Sequence, residues 1–429
     1  MVQPLRSNGF AKRVPLALAV PLLAVAVAAQ AQPAALDIVL TGQCMIRSDL
    51  RLSAPEELPV MRALLAGGDV VFTNLEGAVA EPGESARTGR GFLTPPQALD
   101  ALQAAGFNLL ALSDNHAFDL GVTGIDNTLR EADRRRLVHA GTGDDLQAAA
   151  APAYLPTAHG TVALVASSSG LLAPDAAATA QRPGVDELHV ESDGRPNEAR
   201  ADLSGDAPNV PDREDAARIL RSIRQARRHA DVVIVYQHNH VFGLQSFATI
   251  FSEGMAQRLA PNPWLRRWAH AEIDAGADII VMHGAPLLHG IEIYHGRPIF
   301  YDLGNFIYNL PPTLTYIDEP IAWESVVAHV RFEHGALRGI ELEPIVLNEI
   351  GSGQPDVHDP YTNNRYLDTR GLPAPARGAE AHYILRRLAG LSRPFGTTLR
   401  IGAHAAQVQL AERFSAGARP ATGSTPPAR

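Results

Sequence analysis

Five short apolar segments of this 429-residue chain are each followed by residues that matter for chemistry at neutral pH. Gly42 and Gln43 follow Leu36-Asp37-Ile38-Val39-Leu40. Asn74, Leu75 and Glu76 follow Asp69-Val70-Val71-Phe72. Asp114, Asn115 and His116, with Asp119 three residues on, follow residues 108–112. His238, Asn239 and His240 follow Val232-Val233-Ile234-Val235-Tyr236. His283, and later His289, follow Asp278-Ile279-Ile280-Val281-Met282. Imidazole nitrogens and carboxylate oxygens suit Zn, Mn or Fe. Without a metal the same groups suit general acid–base work, because histidine titrates near neutral pH. A lone histidine after a strand is more often a hydrogen-bonded structural group than a ligand. The recurrence of such groups after four of the five segments is what points to a site.

Those groups can meet only if the elements behind them run side by side. Each apolar segment lacks polar alternation, which predicts strands covered on both faces, as in parallel sheets. Helices precede three of them. Thr94-Pro95-Pro96-Gln97 reads as a capping box with prolines in the first turn, and Gly106 stops that helix. Residues 212–230 form a helix with Ile219, Ile223 and Ala226 on one face, and residues 263–275 one with Leu265, Ala269 and Ile273, stopped by Gly276. Helix then strand, three times, predicts a mostly parallel sheet with helices on both faces. Ligands to such sheets bind where the carboxyl ends of the strands meet. Residues 291–302 and 325–347 read as two hairpins around Gly-containing turns. Residues 173–210 read as a long excursion over one end of the sheet. Trp264 and Trp268 read as packing residues, and Arg134-Arg135-Arg136 as a solvated helix face.

The ends of the chain carry other information. Arg6, Lys12 and Arg13 precede an apolar run over residues 14–29, and Ala29-Gln30-Ala31 offers small residues for cleavage, so residues 1–31 are read as a secretory signal peptide. That run is shorter than the ~20 residues of a membrane span and carries Pro15 and Pro21. An exported protein, periplasmic or extracellular, is expected. The formal net charge of −9 falls to −12 once those three basic residues are removed. An acidic surface argues against nucleic acid as a partner. The single cysteine, Cys44, excludes an intrachain disulfide and reads as a buried thiol. Residues 35–350 are expected to form the main domain, 351–415 an extension packing on it, and 416–429 a disordered tail.

Several of these segments carry a resemblance. Asp69-Val70-Val71-Phe72-Thr73-Asn74-Leu75-Glu76 is similar to the Asn-Leu-Glu segment of CapA proteins, which serve poly-γ-glutamate capsule synthesis. Asp114-Asn115-His116-Ala117-Phe118-Asp119 resembles their Asn-Asn-His-x-x-Asp motif. Gly290-Ile291-Glu292-Ile293-Tyr294 with Pro298-Ile299-Phe300-Tyr301-Asp302-Leu303-Gly304-Asn305-Phe306 resembles their signature near the domain end. The resemblance covers residues 37–347. It implies a four-layered α/β sandwich of the calcineurin-like metallophosphoesterase type, with mixed sheets and flanking helices. It also implies a role in making, exporting or anchoring a capsular polymer such as poly-γ-glutamate.

Two departures stand out. The resemblance places Gly-Asp after the first strand, and here Gln43 replaces that acid. It places Gly-His-x-Pro-His after the fifth, and Met282-His283-Gly284-Ala285-Pro286 keeps only the first histidine. A binuclear centre is therefore not expected. Two arrangements stay open: one divalent ion (Mn, Zn or Fe) on Asn115, His238 and His283, or a metal-free pocket. His116, Glu76 and Asp119 are the expected acid–base groups, and Asn74, His240, Glu292 and Asn305 the expected substrate contacts. Asn305 and Asp302 could equally serve to fix a turn. The expected partners are an anionic envelope polymer or peptide and other capsule-synthesis proteins. Two classes of function follow. One is an enzyme acting on the polymer by hydrolysis, transamidation or proton transfer, with phosphoester hydrolysis as the alternative chemistry. The other is a non-catalytic accessory protein that binds the polymer.

Overall fold

A strand with no polar alternation needs an apolar cover on each face, and the structure supplies it in two ways. The computed structural model describes residues 35–87, 91–191, 209–241, 260–310, 320–351 and 369–410, besides Met1. The expected signal segment beyond Met1 and the expected tail, 416–429, lie outside the described residues. In chain order the principal strands are β1 Leu36–Leu40, β2 Gln43–Met45, β3 Val70–Asn74, β4 Leu109–Ala111, β5 Val138–Ala140, β6 Ala153–Thr157, β7 Gly160–Ser169, β8 Val232–Asn239, β9 Ile279–His283, β10 Ile291–Tyr294, β11 Arg297–Phe300, β12 Asn305–Tyr308, β13 Glu324–Glu333, β14 Ala336–Leu347, β15 Pro373–Pro375, β16 Leu399–Ile401 and β17 Ala406–Val408. The principal helices are α1 Leu58–Leu64, α2 Gln97–Ala105, α3 Val122–Arg134, α4 Leu146–Ala149, α5 Arg213–His229, α6 Pro263–Ala275 and α7 Gly378–Ser392.

Two mixed sheets face each other. One has the order β16-β17-β14-β13-β1-β3-β4-β5, with β15 on β14, and the other β10-β11-β9-β8-β7-β6. Each keeps a parallel centre. β1, β3, β4 and β5 run parallel in the first, and β7, β8, β9 and β11 in the second. Hairpins extend both on the antiparallel side, β13–β14 against β1 and β10 against β11. Between the sheets lie Ile38, Leu40, Phe72 and Leu109 from one and Leu164, Ile234, Tyr236 and Val281 from the other, all buried. Phe72 and Tyr236 meet ring to ring at 5.8 Å. The alternate residues Val39, Val71 and Leu110 face α1 and α2, while Val165, Val233 and Ile280 face α5 and α6. Each buried aliphatic or aromatic side chain contributes on the order of 1.5–3 kcal/mol. The result is helix, sheet, sheet, helix, the layered α/β sandwich that the resemblance implies.

The helix-then-strand repeat alone predicts a single sheet with helices on both faces, and that is corrected. A strand covered by a helix and a strand covered by a second sheet bury the same residues, so the pattern cannot tell them apart. Residues 369–410 supply three strands of the first sheet as well as α7, whose Ile384, Leu385 and Leu388 enter the core between the sheets. Thr94 does not cap α2. It lies in a strand, its hydroxyl donates to the Ile46 carbonyl, and Pro96 occupies the cap position. Arg135 is not solvated either. Its guanidinium is buried against Asp100 and Glu131. The described part of the 173–210 excursion crosses the end of β7, where Ser168 exchanges hydrogen bonds with Asp186 and Leu188. No helix among the described residues is long and apolar enough to cross a membrane.

Candidate functional site

The carboxyl ends of β3 and β4 in one sheet and of β8 and β9 in the other reach the same rim of the sandwich. Alternation along β8 sets which side chains arrive. Ile234 and Tyr236 face the opposing sheet, and the same face continues two residues at a time into His238 and His240. Beyond β3 the backbone N–H of Glu76 donates to the Cys44 carbonyl at 3.0 Å, which fixes the carboxylate at the rim. Beyond β4, Asp114 Oδ1 accepts from the His116 N–H at 2.8 Å and turns the chain. Glycine is required at two of the approaches. A Cβ on Gly42 would strike the Gly304 carbonyl, and one on Gly284, whose φ is +122°, would strike the Asn239 carbonyl.

The groups expected to converge do so. His116 Nδ1 lies 2.7 Å from Asp119 Oδ2, and the same oxygen accepts from the Phe92 N–H at 2.6 Å. His116 Nε2 and His238 Nε2 lie 4.0 Å and 3.9 Å from Glu76 Oε1. His238 Nε2 also lies 2.9 Å from Asn115 Oδ1 and 3.1 Å from His240 Nε2, with Tyr236 Oη at 2.9 Å from its Nδ1. His283 Nδ1 lies 2.7 Å from Asn74 Oδ1. Glu76, His238, His283 and Asn74 are buried, whereas His116 keeps 29% of its side chain open to solvent and can meet a ligand.

Burial divides the charge between the two sheets. It pushes the Glu76 carboxyl up to about 7, with His116 opposing the rise and Asp119 adding to it. Burial disfavours the charged His116 ring, but the hydrogen bond and charge of Asp119, together with Glu76, outweigh it and raise its pKa. Burial, then the neighbouring His240, His283 and His116, hold His238 well below the ordinary histidine range. Burial takes His283 down to about 3. At neutral pH the second sheet therefore presents neutral imidazoles with a lone pair each. The first presents Glu76, which titrates near neutrality, and His116, held above the ordinary histidine value by Asp119 and Glu76.

The donor set fits one divalent cation. Glu76, His238 and His240 each bring a ligand atom within 4.8 Å of the other two. Glu76 Oε2 is buried without a hydrogen-bond partner, as are Gln43 Oε1, Asn74 Nδ2 and Asn305 Oδ1 nearby, and buried polar atoms are seldom left so. Two imidazole Nε2 atoms 3.1 Å apart are close to the roughly 3.4 Å expected of two ligands at ~2.1 Å from one tetrahedral ion. Ligation by His238 Nε2 requires its Nδ1–H to donate to Tyr236 Oη, the orienting contact that metal-binding histidines use.

The structure regroups the expected residues. His240, expected on substrate, and Glu76, expected in acid–base work, share the ligand group with His238. Asn115 touches His238, while His283 pairs with Asn74 and lies outside that group. Asn305 pairs in register with Gln43, and its Nδ2 donates to the Pro286 and Ala322 carbonyls, as a turn-fixing residue does. Asp302 accepts from the Ala285 and Gly304 N–H groups to the same end. Glu292 is corrected. It lies on β10, the edge of the second sheet, and its carboxylate is held by Arg266, His270 and Tyr301. Its likeness to a signature segment reflects a structural ion network. Three neighbours were not singled out from sequence. Tyr236 was legible in principle, two residues before His238 on one face. Phe92, whose ring lies 6.2 Å from that of His116, and Arg47, 4.1 Å above Phe92, come from loops and carry no local signal.

Comparison with known proteins agrees with the sequence resemblance. The chain is 30% identical over 419 residues, 79% of it and 85% of the relative, to the uncharacterized protein y4sH of Sinorhizobium fredii. It is 27% identical to the PGA biosynthesis protein CapA of Bacillus subtilis, over 60% of this chain and 55% of that one. It is 29% identical, over 62% of each, to a Mycobacterium tuberculosis protein named "Probable polyglutamine synthesis accessory protein". The family model described as "Bacterial capsule synthesis protein PGA_cap" matches residues 37–310, which span every strand end of the site, and the chain belongs to that family.

Proposed function

We propose that this chain is an exported accessory protein in the synthesis of a capsule-type, glutamate-based polymer, and that it acts on that polymer or a peptide of it at the rim pocket. Family membership and the relatives named for PGA biosynthesis and polyglutamine synthesis support the pathway. The basic front and apolar run of residues 6–29 support export. One observation carries the acid–base reading. A buried carboxyl, Glu76, titrating near neutrality, lies 4.0 Å from a solvent-reached His116 that Asp119 orients. Such a pair can take a proton from an attacking group and return it to a leaving amine. A divalent ion on Glu76, His238 and His240, when bound, would supply a Lewis acid for a carbonyl and hold Glu76 ionised, which leaves His116, oriented by Asp119, as the proton carrier. The neutral His238 and His283 keep charge off the second sheet, so the pocket's positive charge comes from His116 and the neighbouring Arg47.

The test is release of new amino groups from poly-γ-glutamate by the purified mature chain, with and without Mn²⁺ or Zn²⁺. Turnover should fall ~10²-fold or more in His116→Asn. Metal content measured on the same samples reports the Glu76–His238–His240 group independently. A second reading is favoured by Gln43 and Pro286, which stand where the resemblance places metal ligands. In it the pocket binds polymer without reacting. Absence of turnover, together with full capsule formation in cells carrying His116→Ala, would establish that reading over the first.

A further inference from the structure

Outside the rim pocket, α5 builds a second feature that its sequence makes legible. Arg221, Arg224 and Arg228 recur at intervals of three and four residues, so they lie on one stripe of the helix. They line a groove of about 760 Å³ between α5 and the α4 segment, together with Arg218 and Gln225. Arg218 is anchored there, paired with Asp186 and Asp215 and donating to the Glu187 carbonyl. Arg221, Arg224 and Arg228 are exposed and pair with no carboxylate among the described residues. The acid in the wall, Asp145, caps α4 by accepting from the Ala148 N–H. A stripe of like charges works against the helix that carries it, and the mature chain is acidic overall. The groove is thus a local basic track on an acidic protein.

Its placement matters too. α5 runs back against the direction of β8, so its Arg218 end lies toward the rim that holds His238. Arg218 binds the Asp186–Glu187 backbone segment, which pairs with Ser168 at the end of β7. From Arg221 to Arg228 the stripe spans roughly 10 Å, enough for several charges of an extended chain.

We propose that this groove is a binding track for a polycarboxylate chain, holding a stretch of polymer outside the pocket that acts on it. The assignment rests on the polymer class proposed above. The experiment is fluorescence anisotropy with labelled γ-linked glutamate oligomers over a range of salt concentrations, on the full mature chain. R221Q/R224Q/R228Q should weaken binding about tenfold or more and flatten the salt dependence. R62Q/R386Q/R400Q, the same charge change at exposed arginines elsewhere, should leave binding within about twofold. Circular dichroism of both variants checks the fold. Equal losses in the two triple variants, no measurable binding by the unmodified chain, or equal affinity for a polyphosphate of matched charge would overturn the proposal. His116→Asn should lose turnover, whereas R221Q/R224Q/R228Q should lose oligomer affinity and keep turnover of a γ-linked diglutamate too short to reach the groove, so failure of the track and failure of the pocket chemistry read out separately.

Discussion

Glu76 is 4% exposed and one of its oxygens has no hydrogen-bond partner, so its charged form is a burden on the fold. Its carboxyl rises from 4.5 to about 7 on folding, chiefly through burial. A raised folded-state value means that the folded chain holds this proton more tightly than the unfolded one. That contribution to stability is whole below about pH 4.5 and is lost as pH rises through about 7. At 1.36 kcal/mol per pH unit the difference is roughly 3 kcal/mol. Glu76→Gln keeps the shape and removes the charge. In EDTA the variant should match the unmodified protein near pH 4.5 and exceed it by up to about 3 kcal/mol at pH 8, several degrees in Tm. Added Zn²⁺ should then raise the Tm of the unmodified protein and close the gap, because binding to the folded state alone adds stability, while the variant responds far less. Thermal melts at pH 4.5, 6.5 and 8 with and without metal decide the matter. A variant whose advantage over the unmodified protein is no larger at pH 8 than at pH 4.5 would show that Glu76 is charged and well partnered in the folded protein, and the acid–base reading would go with it.

Other expectations follow from the same geometry. Asp119→Asn removes the charge 2.7 Å from His116 Nδ1 and should lower the His116 pKa, because the hydrogen bond and charge of Asp119 hold it up against burial, read from imidazole proton shifts. His116 titrates above its ordinary value, so its share of stability is present below about pH 6.5 and fades as pH rises through the raised value. The variant should lose that pH dependence. Tyr236→Phe deletes the hydroxyl that orients His238 and should weaken Zn²⁺ binding by about 10–100-fold in calorimetry. An unchanged affinity would mean that His238 is not a ligand through Nε2. Ile234→Ala, fully buried between the sheets, should cost about 2–5 kcal/mol in chemical denaturation. Gln43→Asp should raise metal affinity and lower the stability of the metal-free protein, since it adds a buried acid beside Glu76.

The strand ends were legible in the sequence because their signals are local. Runs such as Val232-Val233-Ile234-Val235-Tyr236 bury both faces whatever covers them, and the residue that follows each run must surface at a sheet end. Asp212 and Gly276 bounded their helices by backbone rules that need no partner. The same locality limits what can be read. Thr94 carries a capping pattern, but a distant carbonyl, that of Ile46, claims its hydroxyl. Glu292 sits in a familiar segment, yet Arg266 and His270, more than twenty residues earlier, decide that it is an ion-pair residue.

Only the tertiary structure decided which sheet each strand joined, and with that which groups share the pocket. His238 and His240 come from one sheet and Glu76 from the other, so their grouping depends on how two sheets stack. Stacking is set by side-chain packing between distant segments, Phe72 against Tyr236 among them, and no periodicity along the chain encodes that choice. The residue types that could do chemistry were thus fixed by the order of amino acids, whereas the partner of each, and the charge it carries, came from the burial that folding imposes.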